Sequence, residues 1–263
     1  MGLAPYYETE LGKLYHGDCL EILPELEPVD LVLTDPPYGL TACKWDLVIP
    51  LDEMWVKLKT IIKKNTAIVL FGSEPYSSVL RMSNIKKYKY DWVWCKNIKT
   101  GSTLSKKRPL KQHENVSVFY NKQCVYNPIM VKRTESELKK LSKNSLCKSE
   151  LTNVIGDLNN KNQKRENMGF KYPTSQLKIN GVFNRSIEKV NHPTQKPVSI
   201  MEYLIKTYTN EGGAVLDFCI GSGTTAIACE RLKRRWIGIE IEEKYCEISA
   251  NRIDNERKQL KLF

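Results

Sequence analysis

The sequence predicts an α/β fold, a parallel sheet with covering helices, on three observations. Short β-branched runs alternate with segments of helical apolar spacing; two apolar runs end on strong backbone punctuation; the rhythm stops over 124–190 and then resumes. Strands are expected at 13–16, 30–34, 67–71, 90–95 and 116–120. A helix is expected at 52–63, where Met54, Trp55, Leu58, Ile61 and Ile62 recur at helical spacing. After the interruption come a helix at 198–208, a strand at 214–219, a helix at 224–232, a strand at 236–240 and a closing helix from Glu242. The expected organisation is one α/β domain whose halves are 1–123 and 191–263, with 124–190 inserted between them.

A chain of 263 residues, 41% apolar and 27% charged, has the size and composition to bury a core, which argues against a disordered protein. No apolar run approaches the roughly 20 residues that span a bilayer, and the opening residues lack a signal segment, so no membrane partner is expected. Eight scattered cysteines form no Cys-x-x-Cys pair, which argues against zinc or a redox dithiol and for a reduced, cytoplasmic compartment. The net charge of +11 favours a polyanionic partner without choosing among them. Its distribution says more. The 124–190 stretch holds 13 Lys/Arg against 6 Asp/Glu and is rich in Asn and Ser, the composition of an irregular basic module.

Residues 214–225 read Ala-Val-Leu-Asp-Phe-Cys-Ile-Gly-Ser-Gly-Thr-Thr, an apolar strand running through a glycine turn into a helix. Gly221 and Gly223 permit tight backbone geometry and close approach of a ligand, with helix-start amides as donors. The strand at 236–240 ends in Glu240, at the separation where nucleoside-binding α/β folds place the acid that holds ribose hydroxyls. Ala226 stands where the dinucleotide fingerprint has its third glycine. A lone G-x-G more often only turns the chain; strand, turn, helix and acid in order favour nucleoside binding.

The segment 31–39, Leu-Val-Leu-Thr-Asp-Pro-Pro-Tyr-Gly, is the sharpest signal. Pro36 and Pro37 cannot donate ladder hydrogen bonds, so the strand ends there. Asp35 and Tyr38 are thereby left at a strand's carboxyl end, where open α/β sheets hold ligands. An aromatic amine is a poor nucleophile because its lone pair is delocalised into the ring. The Asp35 carboxylate and the Pro36 carbonyl can hold both its N–H groups and favour a more tetrahedral nitrogen. Pro37 stiffens the clamp, and Tyr38 offers a stacking face worth on the order of 1–3 kcal/mol. The competing reading is a surface turn, since Asp and Pro-Pro are common turn residues.

Together these residues resemble the β group of S-adenosylmethionine-dependent DNA amino-methyltransferases, in which the catalytic segment precedes the donor's glycine turn. The matches are Thr34-Asp35-Pro36-Pro37-Tyr38-Gly39, Asn191-His192-Pro193-Thr194-Gln195-Lys196-Pro197 and residues 217–225. Gly17-Asp18-Cys19-Leu20 resembles the segment beside the donor's adenine. The resemblance covers most of the chain outside the insertion. It implies a Rossmann-like methyltransferase fold, with a mostly parallel seven-stranded sheet, helices on both faces and circularly permuted motif order. It implies S-adenosylmethionine as donor, S-adenosylhomocysteine as product, and no metal. The catalytic positions it implies are Asp35, Pro36, Pro37 and Tyr38. Asp18 and Cys19 would lie at the donor's adenine, Glu240 at its ribose, and Asp217, Gly221 and Gly223 beside its methionine part. Asp35, Phe218, Ser222, Thr224 and Thr225 complete the implied donor set, with His192, Thr194 and Lys196 from the third segment. One departure stands out: Phe218-Cys219 replaces the Pro-Phe pair of many members, so the ring either faces the donor from a shifted position or is buried.

By position in that group and by charge, 124–190 is expected to recognise double-stranded DNA, with Lys and Arg on phosphates and Asn, Gln and Arg on base edges. The leading expectation is methylation of adenine N6 in a flipped-out base. Cytosine N4 is the first alternative, although members acting there commonly carry Ser where Asp35 stands. RNA, a protein glutamine amide and a non-catalytic nucleic-acid-binding protein are the others. The resemblance further implies a second copy of the chain and a companion restriction endonuclease as partners, and a bacterial or phage-encoded protein associated with the nucleoid. Trp92 and Trp94 alternate along a strand and are expected in the core. Lys106, Lys107, Arg108 and Lys111 read as phosphate contacts or as a charged loop; Lys44-Trp45-Asp46 caps a base pocket or is a plain loop. His113-Glu114 suggests a metal or an acid–base pair, but one histidine without a second is a poor metal site.

Overall fold

The computed structural model describes residues 3–40, 46–144, 169–183, 186 and 188–260 and, over 140–144, the backbone alone. Two compact units are present, Met1–Asn127 with Ser175–Phe263, and Pro128–Thr174. In chain order the elements are β1 (Tyr7–Glu8), β2 (Gly12–His16), α1 (Cys19–Ile22), β3 (Val29–Thr34), α2 (Leu51–Ile61) and β4 (Ile62–Gly72), followed by α3 (Tyr76–Ser83), β5 (Tyr88–Thr100) and β6 (Lys111–Phe119). The smaller unit holds β7 (Val131–Lys132), α4 (Glu135–Asn144) and β8 (Phe170–Lys171). The larger unit resumes with β9 (Gln176–Lys178), α5 (Val198–Tyr208), β10 (Ala214–Asp217), α6 (Thr224–Leu232), β11 (Arg235–Glu240) and α7 (Glu243–Leu260).

The sheet runs β1-β2-β11-β10-β3-β4-β6-β5-β9. Strands β2, β11, β10, β3 and β4 are parallel neighbours. The sheet has nine strands rather than the expected seven, because β1 and β9 add edges of two and three residues, too short to leave a periodic signal. β6 is antiparallel to both β4 and β5. The link between β5 and β6 is too short for a crossover helix, so that pair closes as a hairpin.

Side-chain alternation explains the layers. Leu31, Leu33, Val69, Phe71 and Val215 share one core with α5, α6 and α7. Val32, Ile68, Leu70 and Leu216 share the other with α1, α2 and α3. Strands buried on both faces read as continuous apolar runs, which is the pattern of 29–34 and 67–71. Helices α5 and α6 begin and end where their sequence spacing predicts; one-turn α1 and eight-residue α3 were not legible as helices. Trp92 and Trp94 are buried in the first core.

β3 and β10 pair directly, Val215 beside Leu31 and Leu216 beside Val32, although they are far apart in the chain. The chain leaves β10 through α6 toward β11, and leaves β3 through α2 toward β4 on the opposite face. The gap between their carboxyl ends is therefore a topological switch point, the place where such sheets open a ligand crevice.

The smaller unit carries an antiparallel pair, Val131 beside Lys171 and Lys132 beside Phe170, with a Lys171–Glu137 ion pair. It is narrower than the 124–190 stretch, because β9 joins β5 and so ties residues after 174 to the main sheet. The described cysteines, 19, 95, 124, 219, 229 and 246, are free thiols; Cys43 and Cys147 lie outside the described residues.

α5 is tied to β5 by polar contacts as well as packing. The Tyr208 hydroxyl accepts the buried Trp92 Nε1–H at 2.6 Å and pairs with the Tyr90 hydroxyl at 2.9 Å. Tyr208→Phe leaves the indole N–H without its acceptor, so a loss of about 1–3 kcal/mol in unfolding free energy is expected by urea denaturation. A variant as stable as wild type would show that this contact contributes nothing.

Candidate active site

One cavity of about 650 Å³ opens at the carboxyl ends of β3, β10 and β11. That size suits a cofactor-sized molecule. Every sequence-predicted site residue lines it except Gly223.

The glycine turn forms one wall. Gly221 has φ +54°, and a Cβ there would stand 2.9 Å from His192 Nε2. Gly223 has φ +78°, and a Cβ would collide with the Ser249 side chain on α7. Gly223 is therefore needed for close packing of the turn against a helix, not for the cavity wall. Asp217 is buried; its carboxylate accepts Thr34 Oγ1 at 2.6 Å, Thr225 Oγ1 at 2.5 Å and the Cys219 N–H at 3.2 Å. Burial pushes its carboxyl up to about 6, against the pull of those hydrogen bonds. Glu240 accepts the Gly221 N–H at 2.8 Å and the Glu242 N–H at 3.0 Å, and burial raises its carboxyl. Asp18 caps α1 by accepting the Leu20 N–H at 2.8 Å, which sets Cys19 at the cavity's edge. Phe218 is 1% exposed and packs in the core shared with α2, and it also counts among the residues lining the cavity.

The Asp-Pro-Pro-Tyr bend forms the facing wall. Asp46 holds it, accepting the N–H groups of Tyr38, Gly39 and Leu40 at 2.8–2.9 Å. The Tyr38 ring stacks on Tyr76, centroids 5.2 Å apart, and its hydroxyl donates to Asp35 Oδ1. Lys196, from the segment leading into α5, donates to Asp35 Oδ2. The same ammonium lies 3.5 Å from Glu114 Oε2, and Glu114 Oε1 accepts Lys96 Nζ at 2.6 Å. Burial raises the Asp35 carboxyl, Lys196 opposes the rise and Glu114 adds to it. Burial works against the Glu114 charge, but Lys196 and Lys96 outweigh it and hold that carboxyl below its usual range. Burial likewise disfavours the Lys196 ammonium, but Asp35 and Glu114 overcome it and raise its pKa.

Several of these residues escaped the sequence. Arg252 on α7 donates to the Ser222 carbonyl and to the Ser222 and Thr224 hydroxyls, bracing the glycine turn from behind. Glu114 was visible only as half of a poor metal pair, and Lys96 had no local signal. Among the described residues, no cluster of three His, Cys, Asp or Glu side chains can hold a metal ion. Gln195 accepts the Val190 N–H and donates to the Glu188 carbonyl, folding the 188–197 segment over the cavity with Thr194 exposed at its rim. Asp46 is the described member of the Lys44-Trp45-Asp46 run; Lys44 and Trp45 lie outside the described residues, as do Lys148, Lys161 and Lys164 of the basic stretch.

The permuted motif order on this sheet, with an amine clamp facing a nucleoside-type turn, marks an amino-methyltransferase. Comparison with known proteins gives the family: its model, DNA methylase, matches residues 29–251, and the chain belongs to that family. The type II methyltransferase M2.DpnII of Streptococcus pneumoniae is 26% identical over 97% of this chain and 94% of its own length. The DNA adenine methyltransferase YhdJ of Escherichia coli K12 is 26% identical over 94% of this chain and 84% of its own. Among solved structures, the M1.HpyAVI–SAM complex is similar with a TM-score of 0.61 and 25% identity, covering 92% of this chain and 99% of that one.

His192 sits half-buried against Tyr245 and beside Gly221. Burial and then Lys196, Lys189 and Arg252 push its imidazole down to about 4. A depressed pKa contributes stability that is present above about 6.5 and is lost as pH falls toward 4. Between pH 7 and 5, wild type should lose on the order of 1–2 kcal/mol more unfolding free energy than His192→Gln. Parallel pH profiles for the two proteins would show that the ring titrates as it does in water.

Proposed function

We propose that this chain methylates the N6 amine of adenine at specific sites in double-stranded DNA. The observation that carries the reading is that Asp35–Tyr38 and the 217–225 turn open on one cavity. The donor is S-adenosylmethionine, which supplies an electrophilic methyl on a sulfonium and leaves as S-adenosylhomocysteine. The cavity is of cofactor size, and its wall includes Gly221, packed so closely on His192 that a Cβ there would meet the ring. Glu240 also keeps acceptor capacity beyond the hydrogen bonds it takes from the Gly221 and Glu242 N–H groups. Asp18 and Cys19 take the adenine, Glu240 the ribose hydroxyls, and Asp217, Gly221 and Ser222 border the methionine part. Phe218, Thr224, Thr225, His192, Thr194 and Lys196 complete that lining. The solved complex of the M1.HpyAVI relative with SAM supports S-adenosylmethionine as the donor.

The target base rotates out of the duplex, because its amine inside the stack cannot meet the donor in line. Asp35 and the Pro36 carbonyl accept its two N–H groups, Pro37 keeps the bend stiff, and Tyr38 stacks on the base with Tyr76 behind it. Asp46 keeps the clamp from relaxing by occupying three backbone donors. The nitrogen attacks directly, so no covalent enzyme intermediate is formed and no cysteine is used. Asp35 stabilises the positive charge that grows on the nitrogen. Adenine is favoured over cytosine by the acid at position 35 and by the adenine activity in the name of the Escherichia coli relative. The basic stretch around the smaller unit contacts DNA phosphates and base edges. A homodimer, a companion restriction endonuclease and a cytoplasmic, nucleoid-associated setting fit the type II designation of the relatives.

Incubation with donor and unmethylated DNA, followed by nucleoside digestion and mass spectrometry, should yield N6-methyladenine. N4-methylcytosine would move the assignment to cytosine, and neither base would overturn both. Asp35→Ala should cut turnover by about 10²-fold or more while calorimetric donor affinity changes little. Near-normal turnover in that variant would remove Asp35 from its assigned role. Glu240→Ala should weaken donor binding by about tenfold, the loss of roughly 1–2 kcal/mol of hydrogen bonding, with turnover partly recovered at saturating donor. Unchanged donor affinity would place the ribose elsewhere.

A further inference from the structure

The amine clamp is already occupied by an amine of the protein's own. Lys196 Nζ donates to Asp35 Oδ2 and lies over the Tyr38 ring, 5.9 Å from its centroid, where the base is proposed to stack. A target amine cannot take that place while the ammonium holds it. Lys196 is also nearly buried, so it cannot escape into water without a large rearrangement. A second acceptor lies within reach. Glu114 Oε2 is buried, stands 3.5 Å from Lys196 Nζ, and makes no hydrogen bond among the described residues. Glu114 itself cannot readily turn away, since Lys96 holds its other oxygen at 2.6 Å. A buried carboxylate oxygen held only by a long ion pair is costly, and its presence beside a cation shared with another acid needs a reason.

We propose that Glu114 is a positioning residue for methyl transfer: its Oε2 takes over the Lys196 ammonium when the target amine claims Asp35. The inference rests on the amino-methyltransferase reading above and extends it to what the clamp does before substrate arrives. A shift of about an ångström would turn the long Glu114–Lys196 pair into a hydrogen bond of ordinary length. The exchange leaves the net charge of the cluster unchanged and keeps the cation paired with Glu114, while the target amine supplies Asp35 with hydrogen-bond donors in the ammonium's place. It also withdraws a positive charge from Asp35 at the point where that carboxylate must stabilise charge growing on the attacking nitrogen. Lys96 serves as the fixed anchor of the receiving acid.

The test uses Glu114→Gln, Lys196→Met and the double variant of the full chain, with enzyme in excess over unmethylated genomic DNA and methylated bases quantified by mass spectrometry. Glu114→Gln keeps the shape of the side chain but not its charge, so Lys196 stays on Asp35. Its single-turnover rate should fall at least about tenfold with calorimetric donor affinity within about twofold of wild type. Adding Lys196→Met to Glu114→Gln removes the competitor, so the double variant should be faster than Glu114→Gln alone, and Glu114→Asp should restore part of the rate. A merely structural role predicts losses that multiply, and a double variant at or below the rate of Glu114→Gln overturns the proposal. So does a Glu114→Gln rate near wild type, or a loss confined to donor affinity. If wild type makes no methylated base, the functional reading falls and this inference with it; if wild type is active and the variants fail these patterns, this inference falls alone.

Discussion

Asp217 joins the two walls of the cavity through one buried carboxylate. It stands at the end of β10 and accepts hydroxyls from Thr34, at the end of β3, and Thr225, in the first turn of α6. Thr34 and Asp217 are 183 residues apart in the chain, so this contact does what no local signal can do. It brings the residue before Asp35 to the start of the glycine turn, which sets the distance between clamp and donor site. A buried carboxylate is unfavourable alone; three donors on two chain segments make it tolerable only when those segments are correctly placed. The register of β3 against β10 and the shape of the cavity therefore stand or fall together.

The cavity wall opposite the glycine turn is held by charge rather than by apolar packing. Asp35, Lys196, Glu114 and Lys96 alternate in sign, each within reach of the next and none of them freely exposed. In a site shielded from water, each charge depends on its neighbours, and loss of one leaves another uncompensated. Such a chain of acids and ammoniums is stable as a set yet permits a cation to be shared between two carboxylates. Asp46 contributes differently. By taking three consecutive N–H groups it leaves the Asp-Pro-Pro-Tyr backbone no competing arrangement, which complements the stiffness supplied by the prolines.

Much of the fold was legible because its signals are local. Helix α5 follows Pro197 and helix α6 follows Gly223, so breaker and apolar spacing agree on where each begins. Strand β3 ends where two prolines forbid further pairing. Edge strands β1 and β9 were invisible because two or three residues carry no period, and α1 because a single turn has no amphipathic repeat. The antiparallel turn of β5 and β6 was missed for another reason. Alternation along a strand reports burial of its faces and is silent on the direction of its neighbour.

The same boundary divides the site. The amino-acid order by itself determined that an acid, a rigid bend and an aromatic ring stand at one strand end and that a glycine turn and Glu240 stand at others, because proline, glycine and β-branched residues constrain their own backbone. Only the tertiary structure decided that Gly223 serves Ser249 and α7 rather than the cavity, that Arg252 braces the turn, and that Lys196 lies between Asp35 and Glu114. Those facts are distances between side chains brought together by sheet order and core packing. Burial then sets the charge of each group, and no pattern within a short window of sequence carries that information.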